Sequence, residues 1–138
     1  ELAGYINGQM PHFVVEKVQN ALNDRGKALR GSRIHILGVA YKRDIEDVRE
    51  SPALDIIHLL QRRGATVTFS DPYVPSIRVE GETILAAETV SATEESDCVV
   101  VITDHLNVDY ASVLNRAKLV VDTRNALRGM TSDKIIRL

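Results

Sequence analysis

Lys42, Arg49 and Arg124 are cations set beside the ends of structured segments. Lys42 follows the run Arg33 to Ala40, Arg49 comes just before Ser51 and Pro52, and Arg124 follows the run Lys118 to Thr123. A lysine at a strand exit offers its ammonium protons to hydroxyls or phosphate oxygens, and an arginine near a helix start adds a planar fork to the dipole there. Together such groups could hold something polyanionic. Between the first two lie Asp44, Glu46 and Asp47, placed to pair with them and fix their rotamers. A second reading is a charged loop that is simply solvated. Composition favours the solvated loop, whereas the order of the residues, with both cations abutting structured elements, favours the cradle. For Arg124 an ion pair with Asp122 or another acid competes on equal terms with a phosphate or sugar contact.

Other chemistries find less support. Asp71 stands at the end of a second apolar run, where a dinucleotide-binding fold keeps its ribose acid, but Pro72 follows at once and Asp-Pro is also ordinary turn chemistry. The first run contains Gly38 but no GxGxxG, so the phosphate-cradling turn of a complete NAD domain is absent. His12, His35, His58 and His105 lie on different elements without metal-ligand spacing, and surface or satisfied core roles are expected for them. Cys98 is the one cysteine; it opens the apolar run Cys98 to Ile102, where a thiol is core and inert.

The elements that must position these residues are legible as a βαβ pattern. Strands are expected over Arg33 to Ala40, Ala65 to Asp71, Cys98 to Asp104 and Lys118 to Thr123, the last two apolar enough to be covered on both faces. Ser51 is an N-cap with Pro52 at the first helical position, and Ala53, Ile56, Ile57 and Leu60 recur as an apolar stripe before Gly64 stops the helix. Ser91 with Glu94 predicts a capped helical turn, and Asn107 to Ala117 a further helix. Pro72 to Glu88 reads as a loop containing a short edge strand at ETILAA. Val14, Val18, Ala21 and Leu22 share one helical face, while Pro11 separates this helix from Glu1 to Met10. The expected fold is α/β, a three-layer, Rossmann-like, mostly parallel doubly wound sheet, with ligands bound beyond the carboxyl ends of its strands.

The 138 residues suit one domain. A formal net charge of −2, from 17 basic and 19 acidic side chains, argues against a dedicated nucleic-acid surface. No stretch reads as a membrane span or signal peptide, which makes the cytoplasm the default location. The chain opens on ELAGYINGQM, without methionine and already helical in character, and so is expected to be a fragment.

The stretch GVAYKRDIEDVRESPALDII closely resembles the G-x-[AF]-[FY]-K-x-x-x-x-D-x-R-x-S signature of the UDP-glucose and GDP-mannose dehydrogenase family, in its C-terminal, nucleotide-sugar-binding domain. Neighbouring pieces agree in order and distance: IN-x-x-MP at Ile6 to Pro11, G-A-x-V-x-x-x-D-P at Gly64 to Pro72, D-x-V-V-V-I-T-D-H at Asp97 to His105 and V-D-T-R-N at Val121 to Asn125. The resemblance implies a parent enzyme with an N-terminal NAD domain, a central helical domain that makes a homodimer, and this C-terminal domain for a UDP-sugar. It implies oxidation of the sugar's C6 hydroxyl to a carboxylate in two NAD-dependent steps, through a thioester on a cysteine outside this domain. Cys98 is then not the nucleophile, and the fragment alone is expected to be inactive.

By the same resemblance Tyr41 and Lys42 contact the substrate, Arg124 is a further substrate-binding residue, and Arg49 reaches the NAD pyrophosphate across the domain cleft. Residues 1–30 become the end of the central-domain helix with its connection, and residues 31–138 the nucleotide-sugar-binding domain. Tyrosine at position 41 and the MP junction point toward the branch that uses UDP-N-acetylmannosamine or related amino sugars. The alternative is a non-catalytic α/β nucleotide-binding or protein-interaction module.

Overall fold

The computed structural model describes residues 2–49 and 51–138. Glu1 and Glu50, the second of them part of the charged crossing, lie outside the described residues, as do the side chains of residues 2–8 with the Asn7 end of the MP junction.

In chain order the elements are α1 (Leu2–Asp24), β1 (Arg33–Leu37), α2 (Pro52–Arg62), β2 (Thr66–Ser70), β3 (Ser76–Val79), β4 (Glu82–Leu85), α3 (Thr89–Glu95), β5 (Cys98–Val101), α4 (Tyr110–Arg116), β6 (Val120–Asp122) and β7 (Ile135–Arg137). Five strands form one sheet in the order β2-β1-β5-β6-β7, and every pairing in it is parallel. The expected doubly wound sheet is therefore present. β3 and β4 form a separate antiparallel hairpin.

Alternation along the strands divides the core. Ile34 and Ile36 of β1 and Val100 of β5 pack with Val14, Val18 and Leu22 of α1 and with Ile56, Ile57 and Leu60 of α2. Leu37, Val99, Val101 and Val120 point the other way, against Tyr110 and Val113 of α4 and Leu127. A sheet buried on both faces needs apolar residues at consecutive positions, which is why CVVV of β5 lacks a polar face.

Helix α2 follows its sequence signals closely. The Ser51 hydroxyl accepts the Ala53 N–H at 3.1 Å, and Ala53, Ile56, Ile57 and Leu60 are the buried stripe. Burying each of the three larger side chains contributes about 2 kcal/mol.

Elsewhere the structure departs from expectation. Helix α1 runs through Pro11, which is buried, instead of breaking there. The proline forfeits one backbone hydrogen bond, but the helix beyond it is tied to the core by Val14, Val15 and Val18. Helix α3 is capped by Glu88, whose carboxylate accepts the N–H groups of Val90 and Ser91, so Ser91 lies inside the helix and is not its cap. Helix α4 is shorter than Asn107 to Ala117 and starts after an Asp109 cap. The segment read as a loop with one edge strand is a hairpin, since β3 pairs with β4 and buries Ile77 and Val79. The sheet also gains β7 at its edge. Among the described residues no helix is long and apolar enough to cross a membrane.

The chain leaves β1 toward β2 on one side and returns to place β5 on the other. The strand order thus reverses between β1 and β5, and Arg124, after β6, stands one strand further along the same edge.

Candidate functional site

At this reversal the exits of β1 and β5 touch directly. Gly38 leaves β1 with φ +89°, and a Cβ there would lie 2.6 Å from the carbonyl oxygen of Thr103. The Thr103 hydroxyl donates to the Ala40 carbonyl at 2.6 Å, so the exits of β1 and β5 are stitched together.

Asp71 explains part of this closure. Its buried carboxylate accepts the N–H groups of Val39 at 2.8 Å and Ala40 at 3.1 Å, and that of Tyr73 at 2.8 Å. It also accepts a hydrogen bond from the Nε2–H of His105 at 2.9 Å. With four donors the acid organises the turns around it, and it also lines the cleft between α3 and α4.

His105 is buried, and its partners assign its tautomer. Nδ1 accepts the backbone N–H of Asp44 at 2.8 Å, so the ring proton resides on Nε2 and faces Asp71. The Asp44 carboxylate in turn accepts the Leu106 N–H at 3.1 Å. Asp44 therefore holds the crossing to the β5 exit and does not steady Lys42, contrary to expectation. Its φ of +63° is one that aspartate tolerates better than most residues.

The remaining charges of the crossing divide by role. Asp47 and Arg49 form the expected pair, with Nε at 3.1 Å and Nη2 at 3.0 Å from the carboxylate and the Arg49 N–H at 2.9 Å. These hydrogen bonds from the Arg49 side chain and backbone hold the Asp47 carboxyl below the usual carboxylate range. Lys42 is exposed, with Nζ 5.8 Å from the centre of the Tyr41 ring. Arg43, not singled out in the sequence, turns inward: Nε donates to the Asp104 carbonyl at 2.8 Å and Nη2 to its carboxylate at 2.7 Å.

At the β6 exit the acid that competes for Arg124 is committed elsewhere. Buried Asp122 accepts the backbone N–H groups of Arg124, Ala126 and Leu127, winding residues 123–127 into a tight turn with Asn125 at φ +58°. Arg137 comes within 3.8 Å of the same carboxylate. The Arg124 side chain is left exposed beside a depression of about 340 Å³ formed with Thr123, Asn125, Arg137 and Leu138. A larger cleft of about 420 Å³ lies between α3 and α4, and none of Tyr41, Lys42, Arg49 or Arg124 lines it.

Tyr41, Lys42, Arg49 and Arg124 are thus all exposed on the segments that follow the carboxyl ends of β1 and β6. Lys42 and Arg124 are carried by strands two positions apart, with β5 between, a spacing of about 10 Å. Cys98 is fully buried, and burial pushes its thiol up to about 12, as expected for an inert core residue. The residues missed in the sequence are Arg43, Asp104 and Arg128. Their signal was the TDH exit of β5, legible as a motif but not as a contact.

Residues 35–129 match the model of the UDP-glucose/GDP-mannose dehydrogenase family, UDP binding domain. Among known proteins, the UDP-N-acetyl-D-mannosamine dehydrogenase of Methanococcus maripaludis is 35% identical over 88% of this chain and 29% of its own length. The UDP-glucose 6-dehydrogenase of Rhizobium meliloti is 35% identical over 75% of the chain and 25% of its own length. Among solved structures, a UDP-D-ManNAc dehydrogenase from Pyrococcus horikoshii superposes with a TM-score of 0.81 at 26% identity, covering 99% of this chain and 32% of that one. The chain therefore spans less than a third of the length of these relatives, and over that span it belongs to the UDP-glucose/GDP-mannose dehydrogenase family as its UDP binding domain.

Proposed function

We propose that this chain is the C-terminal third of an NAD-dependent UDP-sugar 6-dehydrogenase and supplies the wall of the active-site cleft that grips the nucleotide sugar. The observation that carries the reading is the set of exposed cations Lys42, Arg49 and Arg124 on hydrogen-bonded segments after the carboxyl ends of β1 and β6. Lys42 and Arg124 neutralise and orient the UDP-sugar, with Tyr41 beside the lysine lending an aromatic face. Arg49 reaches outward to the pyrophosphate of NAD, which sits on the N-terminal domain. NAD supplies the hydride acceptor for oxidation of the C6 hydroxyl to a carboxylate.

The names of the relatives support an amino-sugar substrate of the UDP-N-acetylmannosamine kind, in keeping with Tyr41 and the MP junction. Residues 1–30 then connect to a central domain through which the parent enzyme forms a homodimer, working in the cytoplasm.

Calorimetric titration of the chain with UDP and with UDP-sugars tests the assignment. Lys42→Ala and Arg124→Ala should each weaken UDP binding by roughly tenfold, the loss of one charge-assisted contact. Arg49→Ala should leave it unchanged. If both of the first two variants bind UDP as wild type does, the substrate assignment fails.

A further inference from the structure

We propose that Asp104 is a positioning residue that fixes the distance between the two ligand-gripping loops, after β1 and after β6. The inference rests on the functional reading above, which makes Lys42 and Arg124 grip one ligand, and it names what sets their separation.

Asp104 sits at the exit of β5, the strand between the two loops. Its side chain is 10% exposed, and it accepts from both directions: from Arg43 Nη2 at 2.7 Å and from Arg128 Nη1 at 3.3 Å, both on Oδ2. Arg43 is the neighbour of Lys42. Arg128 ends the turn that presents Arg124, and its Nη1 also donates to the Asn125 carbonyl at 2.8 Å.

One carboxylate oxygen thus joins the two loops through two arginines, neither of them offered to a ligand in the proposed function. The acid is itself held, since the Tyr110 hydroxyl from α4 donates to the Thr103 carbonyl and accepts the His105 N–H on either side of it. Because both guanidiniums meet one carboxylate oxygen that is itself nearly buried, the two loops share a single contact point, and since the arginines are 45% and 58% exposed the link acts through geometry more than through charge. The backbones that carry Lys42 and Arg124 are then pre-set to one span, which lowers the ordering cost of gripping a diphosphate to that of the two side chains.

The test uses the 138-residue chain, with Asp104→Asn and, as a milder probe on the exposed side, Arg128→Gln. Amide hydrogen exchange should accelerate in residues 41–47 and in 124–128 together in either variant, although Arg128 touches only the second segment. UDP affinity should fall at least tenfold in Asp104→Asn while that of uridine, which lacks phosphates, stays the same. In a Lys42→Ala, Arg124→Ala background, Asp104→Asn should cost nothing further. Exchange that accelerates in one loop only, or an Asp104→Asn loss that adds in full to that background, overturns the proposal. A wild-type chain that takes up no UDP counts against the proposed ligand instead, and exchange still decides the coupling.

Discussion

His35 is a polar residue in the middle of a buried strand, and its partners make it a pH probe. Its ring lies between the Thr68 and Ser70 hydroxyls of β2, at 2.7 and 2.8 Å, and burial lowers its pKa from 6.5 to about 4. Below pH 6.5 the unfolded chain takes up a proton that the folded ring refuses until about pH 4. The contribution is therefore complete above pH 6.5 and shrinks by about 1.4 kcal/mol per pH unit on acidification through that window. Urea unfolding of wild type and His35→Gln between pH 7.5 and about 4.5 checks this. The variant should lose less stability over that range, and parallel curves would show that the ring carries no such penalty.

Residue identity also marks how far the site could be read from sequence. The Asp47 and Arg49 pairing was legible because both ends lie in one short loop, where spacing alone brings them together. Asp44, Asp71 and Asp104 were not, because their partners arrive from other strands and sequence distance carries no information about them.

At the scale of elements, the crossing from β1 to α2 is a rigid connection whose rigidity starts at Gly38. With φ +89° and a Thr103 backbone oxygen 2.6 Å from where a Cβ would go, alanine there is both strained and obstructed. Gly38→Ala should cost about 3 kcal/mol or more. It should also pry apart the β1 and β5 exits, so that UDP affinity falls with stability. Chemical denaturation gives the first number and titration the second. A variant of wild-type stability would mean that the Thr103 strand yields easily.

The elements themselves were read well where local signals agree. In α2, cap, proline and stripe coincide. They were read poorly where a tertiary contact decides: α1 persists through Pro11 because its far half is buried, Glu88 displaces Ser91 as a cap through its longer reach, and β7 is three residues whose strand character comes from β6 alone.

For the whole molecule, a mostly parallel, doubly wound sheet was implied by the alternation of strands and helices, but its strand order and the stitching of the β1 exit to the β5 exit were not. That stitching closes the gap between the two strand exits. The contacts that close it have a consequence for how the chain folds. Arg43 to Asp104, Asp44 to His105 and Ala40 to Thr103 join residues 61 to 63 positions apart. Such pairings form only after β5 has docked on β1, because the loop entropy between them must first be lost. The contacts across the crossing therefore form no earlier than the β1–β5 pairing on which they rest. Asp104→Asn should accelerate unfolding, about tenfold for each 1.4 kcal/mol of stability lost, while leaving the refolding rate near its wild-type value. Stopped-flow refolding that slows in step would place the crossing in the folding nucleus instead.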